Sequence, residues 1–273
     1  MSGGHKNKQL PNGCGSDEML RCLDPSRDRK GAVLLPFDRI ATRYDALWTD
    51  TAIGRAQRNL VWHEIDSLFH RGERILDIGC GTGEDAAHFA ARGVHVYGAD
   101  ASPAMVRVAR ERGVTATVCN AEELGRIGRS FDGALSNFGA LNCVGNLPAV
   151  AVSLAPLVRP GGHVAICLLG RLCAWETLYF AARLEWRKAW RRWRGARYHE
   201  ILIHYPTVAE IRTAFAPEFE LRRWTGIGLL VPPSYVKLPA ALVRALAACD
   251  RILTHLPLLR ALADHRLFLL VRK

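Results

Sequence analysis

The stretch Arg74-Ile75-Leu76-Asp77-Ile78-Gly79-Cys80-Gly81-Thr82-Gly83 constrains this chain most, because three alternating glycines follow directly on an apolar run. The run, with its acid, predicts a buried strand, and the glycines predict a sharp turn against which a ligand can lie. A helix follows: Glu84 and Asp85 fall in its first turn, where the helix dipole favours negative charge, and Gly93 stops it. Val94 to Ala99 predicts the next strand, and Asp100 at its tip is placed to accept hydrogen bonds from ribose hydroxyls. Together these elements predict a nucleotide-binding βαβ unit.

The glycine spacing selects among nucleotides. A dinucleotide fingerprint places its last glycine where this chain has Glu84, an anion where a pyrophosphate would rest. That disfavours a nicotinamide-dependent oxidoreductase. Asp77-x-Gly79-x-Gly81-x-Gly83 with Asp100 downstream resembles motif I and its partner acid in the class I S-adenosylmethionine-dependent methyltransferases, and the resemblance runs from about Phe37 to about Gly170. Phe37-Asp38-Arg39-Ile40-Ala41-Thr42-Arg43-Tyr44-Asp45 is similar to the segment preceding motif I in small-molecule members, including the quinone-biosynthesis group.

The resemblance implies S-adenosyl-L-methionine as cofactor, contacted by Asp77, Gly79, Cys80, Gly81, Gly83, Asp100 and Ala101. It implies a helical cover over 37–69, with Tyr44 near the methionine end, and Met105 beside the adenine ring. Ser102 and Pro103 cap the helix that carries Met105. Asn120-Ala121-Glu122 stands where many members have Asp-Ala, so Asn120 offers the adenine amino group an amide oxygen but also brings a donor. Asn137 leaves the carboxyl end of a fourth predicted strand, Phe131 to Ser136, the edge at which open α/β sheets bind ligands. Ser136-Asn137-Phe138-Gly139 matches neither the N/D-P-P-Y/F motif of DNA amino-methyltransferases nor the Pro-Cys of cytosine-C5 enzymes.

Further strands are predicted at Val114 to Cys119, at Val164 to Leu169 after a Pro160-Gly161-Gly162 turn, at Phe219 to Leu230 and at Arg266 to Val271. The predicted fold class is therefore α/β, a Rossmann-like doubly wound seven-stranded sheet, mostly parallel with an antiparallel last strand and helices on both faces. Residues 1–31 are expected to be a disordered tail, and 32–273 a single domain with the cover at 37–69 and helical insertions at 171–200 and 238–256. In the last of these, Leu238, Leu242, Ala245, Leu246, Cys249, Ile252, Leu253 and Leu256 share one stripe and are expected to pack on the core or a second subunit. Ala140 to Val158 carries no charge, but Asn142, Gly145, Pro148 and Pro156 interrupt it, which predicts a loop and short helix, not a membrane span.

Basic residues outnumber acidic ones 37 to 26, a net +11 that favours anionic partners such as phospholipid headgroups or nucleic acid. The eight cysteines, at 14, 22, 80, 119, 143, 167, 173 and 249, form no C-x-x-C pair, so no metal is expected and a reducing compartment is. Without an apolar h-region at its start the chain is expected in the cytoplasm, peripheral to a membrane if its basic segment binds one.

That segment runs from Arg171 to Arg197. Trp175, Tyr179, Ala182, Trp186, Trp190 and Trp193 recur at helical spacing beside a stripe of Arg183, Arg187, Arg191 and Arg194. It predicts one helix, lying on an anionic membrane surface or closing over the active site as a lid. His199 and His204 follow it and are the candidate bases for an acceptor hydroxyl or amine; His163 and His265 are less well placed. The function expected is methyl transfer to an amphipathic small molecule such as a lipid, quinone precursor or polyketide-like compound. An RNA-binding protein or RNA methyltransferase using the basic patch is the alternative, with nucleic acid the less favoured partner.

Overall fold

The computed structural model describes residues 36–198 and 201–273. The tail expected over 1–31, with Cys14 and Cys22, lies outside the described residues, as does His199. Seven strands form one sheet in the order β3-β2-β1-β4-β5-β9-β8. They are β1 Arg74–Ile78, β2 His95–Asp100, β3 Thr115–Val118, β4 Phe131–Ser136, β5 Val158–Leu169, β8 Phe219–Ile227 and β9 His265–Arg272. The first five pair in parallel, and β9 runs antiparallel to both β5 and β8. This is the doubly wound, mostly parallel sheet that the sequence predicts.

Burial explains the order. Ile75, Leu76 and Ile78 of β1, with Ala134 and Leu135 of β4 and Val164 to Leu168 of β5, lose nearly all contact with solvent, as parallel strands covered on both faces do. Leu76, Ile78, Val164 and Ile166 face the cluster that holds Leu154, Phe215 and Phe268. Ile75, Leu135, Ala165 and Cys167 face the other, built on helix α1, Ala52–Ile65. Thr51 caps that helix by accepting from the amide of Gly54 at 3.0 Å, and its apolar positions recur at three and four residues. Helix α2 spans Glu84–Ala91 and α3 spans Pro103–Glu111, with Ser102 accepting from Met105 N at its start; α4 Leu147–Leu154 and α8 Val208–Phe215 come later in the chain.

Four expectations need correction. β5 begins at Val158, not Val164, and Pro160-Gly161-Gly162 lies within it as a register shift between Phe131 and Gly133 of the facing strand. β8 ends at Ile227, because Gly228 turns the chain at φ 73°.

The segment 171–197 is not one helix. It is α5 Ala174–Ala181, then, after Leu184 at φ 59°, two single turns, α6 Trp186–Ala189 and α7 Arg191–Arg194. A short hairpin, β6 Ala196–Tyr198 with β7 Ile201–Ile203, follows. Buried charge breaks the helix. Arg191 reaches both oxygens of Glu176 at 2.9 Å, and Arg192 donates to Glu176, to Asp264 and to the carbonyls of Gly170 and Asp264. A straight helix would carry Arg191 roughly 22 Å from Glu176 at 1.5 Å per residue. The chain folds back instead, and Arg191 of the expected basic stripe, with Arg192 beside it, serves the interior.

The fourth correction concerns the insertion before the last strand, α9 Ala240–Leu253. Val243 and Asp250 are its buried positions, with Leu246 and Ala247 partly covered, while Leu242, Ile252 and Leu256 stand in solvent. Asp250 takes the inner face because its carboxylate accepts from the amides of Leu230 at 2.8 Å and Val231 at 3.0 Å, and unpaired buried amides would be costly. Of the stripe that reads as core in the sequence, Leu242, Ala245, Cys249, Ile252 and Leu256 face outward, while Leu238 and Leu246 pack on the core.

Candidate active site

The glycine loop after β1 is stitched to the end of β2: Gly79 N and Cys80 N both donate to Ala99 O, at 2.7 and 3.1 Å. Asp100 then gathers the turn, one oxygen accepting from Gly81 N at 2.9 Å and the other from Ser102 N at 2.8 Å. All three glycines have positive φ, but they answer different needs. A Cβ at Gly79 would sit 2.2 Å from Ala140 Cβ, and one at Gly83 would sit 2.8 Å from a methyl of Val114. At Gly81 it would meet nothing within 4 Å, because that position faces a cavity.

The cavity has a volume of about 320 Å³ and lies at the carboxyl ends of β1, β2 and β4, within the range of small-molecule sites. Of the residues expected around the cofactor, Tyr44, Gly79, Gly81, Asp100, Ala101, Met105, Asn120, Ala121, Glu122 and Asn137 line it. Asp77, Cys80 and Gly83 do not. The Cys80 side chain packs into a small apolar cluster with Val106, Ala109 and Ala116, and Gly83 holds the loop against α3. Asp77 is buried beneath the loop, and its Oδ2 has no hydrogen-bond partner.

Sequence reasoning passed over other lining residues: Phe37, Phe138, Leu141, Cys143 and Val144 make the remaining wall largely apolar. Phe138 carried one signal, standing just beyond the carboxyl end of β4 and next to Gly139. It adopts φ 47°, unusual for a bulky residue. Its ring meets Trp48 at 4.5 Å and His265 edge-on at 5.4 Å, and the Arg58 guanidinium lies 4.8 Å from its centre.

The cover over 37–69 is a series of short turns followed by α1, and side chains latch it to the loop. Asp38 accepts from Ala104 N at 3.1 Å and from the Ser102 hydroxyl. Asp45 accepts from the Thr82 hydroxyl at 2.8 Å and from Arg112. Glu84 pairs with Arg55 and Arg112 and does not line the cavity, so its charge fastens the cover and does not bear on a bound phosphate directly. Beneath, Asp85 accepts from Arg58, from Trp62 Nε1 at 2.7 Å and from Asn137 Nδ2 at 3.2 Å.

The electrostatics are one-sided. Among the described residues lining the cavity the charged side chains are two carboxylates, Asp100 and Glu122, with no Lys, Arg or His. Burial raises the Asp100 carboxyl above its ordinary range, opposed by the amides of Ser102 and Gly81. Asp77 is raised well above that range, first by burial and then by the neighbouring Asp85. Burial pushes Tyr44 up to about 12 and Cys143 up to about 11, so both are protonated at neutral pH.

Of the two candidate bases, His199 is outside the described residues and His204 lies elsewhere. His204 is tied through its backbone to Asn142, donating its N–H to Asn142 O at 2.8 Å and accepting from Asn142 Nδ2, and it does not line the cavity. Asn142 is fully buried and bridges that segment to Leu169, a structural task. His163 is exposed on β5, while His265 is buried at the start of β9, its ring against Phe138.

Comparison with known proteins adds to this geometry. Residues 53–217 match the family model described as a methyltransferase domain. The demethylmenaquinone methyltransferase of Clavibacter sepedonicus is 33% identical over 144 residues, 51% of this chain and 58% of that protein. That of Thermobifida fusca is 32% identical over 145 residues, 50% of this chain and 60% of its own. The match thus spans less than two thirds of these relatives. Among solved structures, an S-adenosylmethionine dependent methyltransferase from Mesorhizobium loti superposes with a TM-score of 0.53 at 18% identity, over 82% of this chain and 99% of that one. A putative methyltransferase solved with the Trm112 activator of Haloferax volcanii gives 0.56 at 19% identity, over 88% and 99%. At these identities the structures speak for the fold.

Proposed function

Given that the chain belongs to the class I S-adenosylmethionine-dependent methyltransferase family, we propose that it binds S-adenosyl-L-methionine in this cavity and moves its methyl group to an amphipathic small molecule. The cavity's charge carries the reading. A site with two carboxylates and no cationic side chain among its described lining suits a ligand bearing a sulfonium cation and suits a pyrophosphate poorly. This replaces Glu84 as the ground for setting the nicotinamide alternative aside.

The residues present fit the cofactor. Gly81 leaves space where a Cβ would intrude. Asp100 uses one lone pair of each oxygen on the loop amides and keeps others for ribose hydroxyls. Met105, Asn120, Ala121 and Glu122 would hold the adenine side, and Tyr44 and Asn137 the methionine side. Bound there, the cofactor supplies an electrophilic methyl group.

The chain's own share is alignment and exclusion of water, which suffices for an in-line displacement. Phe37, Phe138, Leu141 and Val144 give the acceptor an apolar berth. Among the described residues no histidine lines the cavity, so an acceptor that is nucleophilic as bound, such as a phenolate or stabilised carbanion, suits the site. The similarity to demethylmenaquinone methyltransferases, which covers 50–51% of this chain, makes quinol-like rings the first acceptors to try.

Calorimetry with S-adenosylmethionine tests the cofactor site. Asp100→Ala leaves the amides of Gly81 and Ser102 unpaired as well as the ribose, and should weaken binding roughly five- to 150-fold. An unchanged isotherm from a folded variant would remove the assignment. Incubation with phenolic and quinol lipids, read as the mass gain of one methyl replacing one hydrogen, tests the acceptor class.

A further inference from the structure

Large apolar side chains in solvent are concentrated on this molecule. Of those exposed among the described residues, most fall in two segments: Leu178, Leu184, Trp186, Trp190 and Trp193 in the insertion after β5, and Leu242, Ile252, Leu256 and Leu258 in and after α9. Leu184 is 76% exposed, Ile252 73% and Leu258 85%, so among the described residues these side chains have no covering partner.

One loop joins the two. Trp175 Nε1 donates to Leu230 O at 3.0 Å, and the rings of Tyr179 and Phe180 pack on Tyr235. From the other side, Asp250 of α9 accepts from Leu230 N and Val231 N. The two ridges therefore flank the segment 229–236, and Val231 shares a core cluster with Phe138 of the cavity wall.

Charge identifies the occupant. On the first ridge Arg183, Arg187, Lys188 and Arg194 are exposed against one nearby acid, Glu185, which pairs with Lys188. On α9, Arg244 and Arg251 flank the outward apolar face, and the helix's one acid, Asp250, is turned inward. Tryptophans and leucines ringed by arginines match the lipid interface, where rings sit at headgroup depth and cations meet phosphate. Aliphatic Leu184, Ile252 and Leu258 offer nothing on which a nucleobase would stack.

We propose that the two ridges together form a docking face for an anionic phospholipid bilayer. Docking does not depend on the methyl-transfer reading, and the two are tested by different readouts.

The test is sedimentation of the full chain with vesicles of phosphatidylglycerol and phosphatidylcholine, and of phosphatidylcholine alone. The protein should bind the anionic vesicles at low salt and release as salt rises. Each basic residue near such a surface contributes about 1 kcal/mol, so Arg187→Gln with Arg194→Gln should lower partitioning roughly 30-fold. Ile252→Glu with Leu258→Glu, on the second ridge, should lower it comparably while S-adenosylmethionine affinity and the melting temperature stay as in the parent. Failure of the parent to bind anionic vesicles would overturn the proposal. So would full binding by the second-ridge variant, which would take α9 out of the face, or a dimer in light scattering that this variant dissolves, which would assign the face to a second copy of the chain.

Discussion

Adding one methyl group at Gly79 and at Gly81 should produce opposite phenotypes. Both glycines have positive φ, 71° and 53°, so an alanine at either position costs about 1–2 kcal/mol of backbone energy. At Gly81 that is the whole expected cost to the fold, because the new Cβ meets no protein atom within 4 Å. The melting temperature should fall by roughly 2–8 °C for a chain of this size. The methyl would, however, stand in the cavity. Crowding of this kind costs about 1–3 kcal/mol in a packed site, which is roughly a five- to 150-fold loss of S-adenosylmethionine affinity. At Gly79 the new Cβ would lie 2.2 Å from Ala140 Cβ, so overpacking adds to the backbone term and the fold should lose about 2–5 kcal/mol. Chemical denaturation and titration calorimetry on the two variants separate the terms. If Gly81→Ala binds S-adenosylmethionine as the parent does, the cofactor does not lie on this loop. If Gly79→Ala is no less stable than Gly81→Ala, the packing argument is wrong.

Asp77→Asn should stabilise the ligand-free protein at neutral pH: burial raises the folded-state acid, so its stabilising contribution is present below the unfolded pKa of about 3.9 and is lost as pH rises through the folded value. Thermal melts of parent and variant compared across pH should diverge upward from acid to neutral, and parallel curves would contradict the buried-acid assignment. Arg192→Met removes the cation shared by Glu176 and Asp264, and leaving the buried Asp264 with only the Gln57 amide and the His265 ring should cost about 3–5 kcal/mol in urea unfolding. A loss below 1 kcal/mol would show that the insertion is not held by this cluster.

Where the sequence carried the structure, the information was local. The alternation of Gly79, Gly81 and Gly83, the cap at Ser102 and Pro103, and the acid at Asp100 each constrain backbone within a few residues, and ten of the residues expected around a cofactor line one cavity. The sheet was legible for a similar reason: continuous apolar runs are what strands covered on both faces require. The role of Cys80 was not, because which way a loop side chain points depends on the Gly98 and Ala116 surface that receives it. Phe138 escaped notice because its importance rests on contacts with Trp48, Arg58 and His265, which are distant in sequence.

The two insertions were misread by one mechanism, and it bears on how such helices should be read at all. Periodicity reports which side chains share a face, and it is silent on which face turns inward when a buried charge has a partner to satisfy. In α9 the amides of Leu230 and Val231 draw Asp250 in, and most of the richer apolar stripe is turned out. In 171–197 Glu176 and Asp264 draw in Arg191 and Arg192, which breaks the helix and leaves Trp186, Trp190 and Trp193 in water. A charge that would cost several kcal/mol unpaired outranks the 1.5–3 kcal/mol or so gained by burying one leucine. The apolar residues displaced by these polar anchors are the ones that make up the proposed docking face, so the ion pairs of the first insertion and the amide-to-carboxylate bonds of α9 also set what the molecule presents outward.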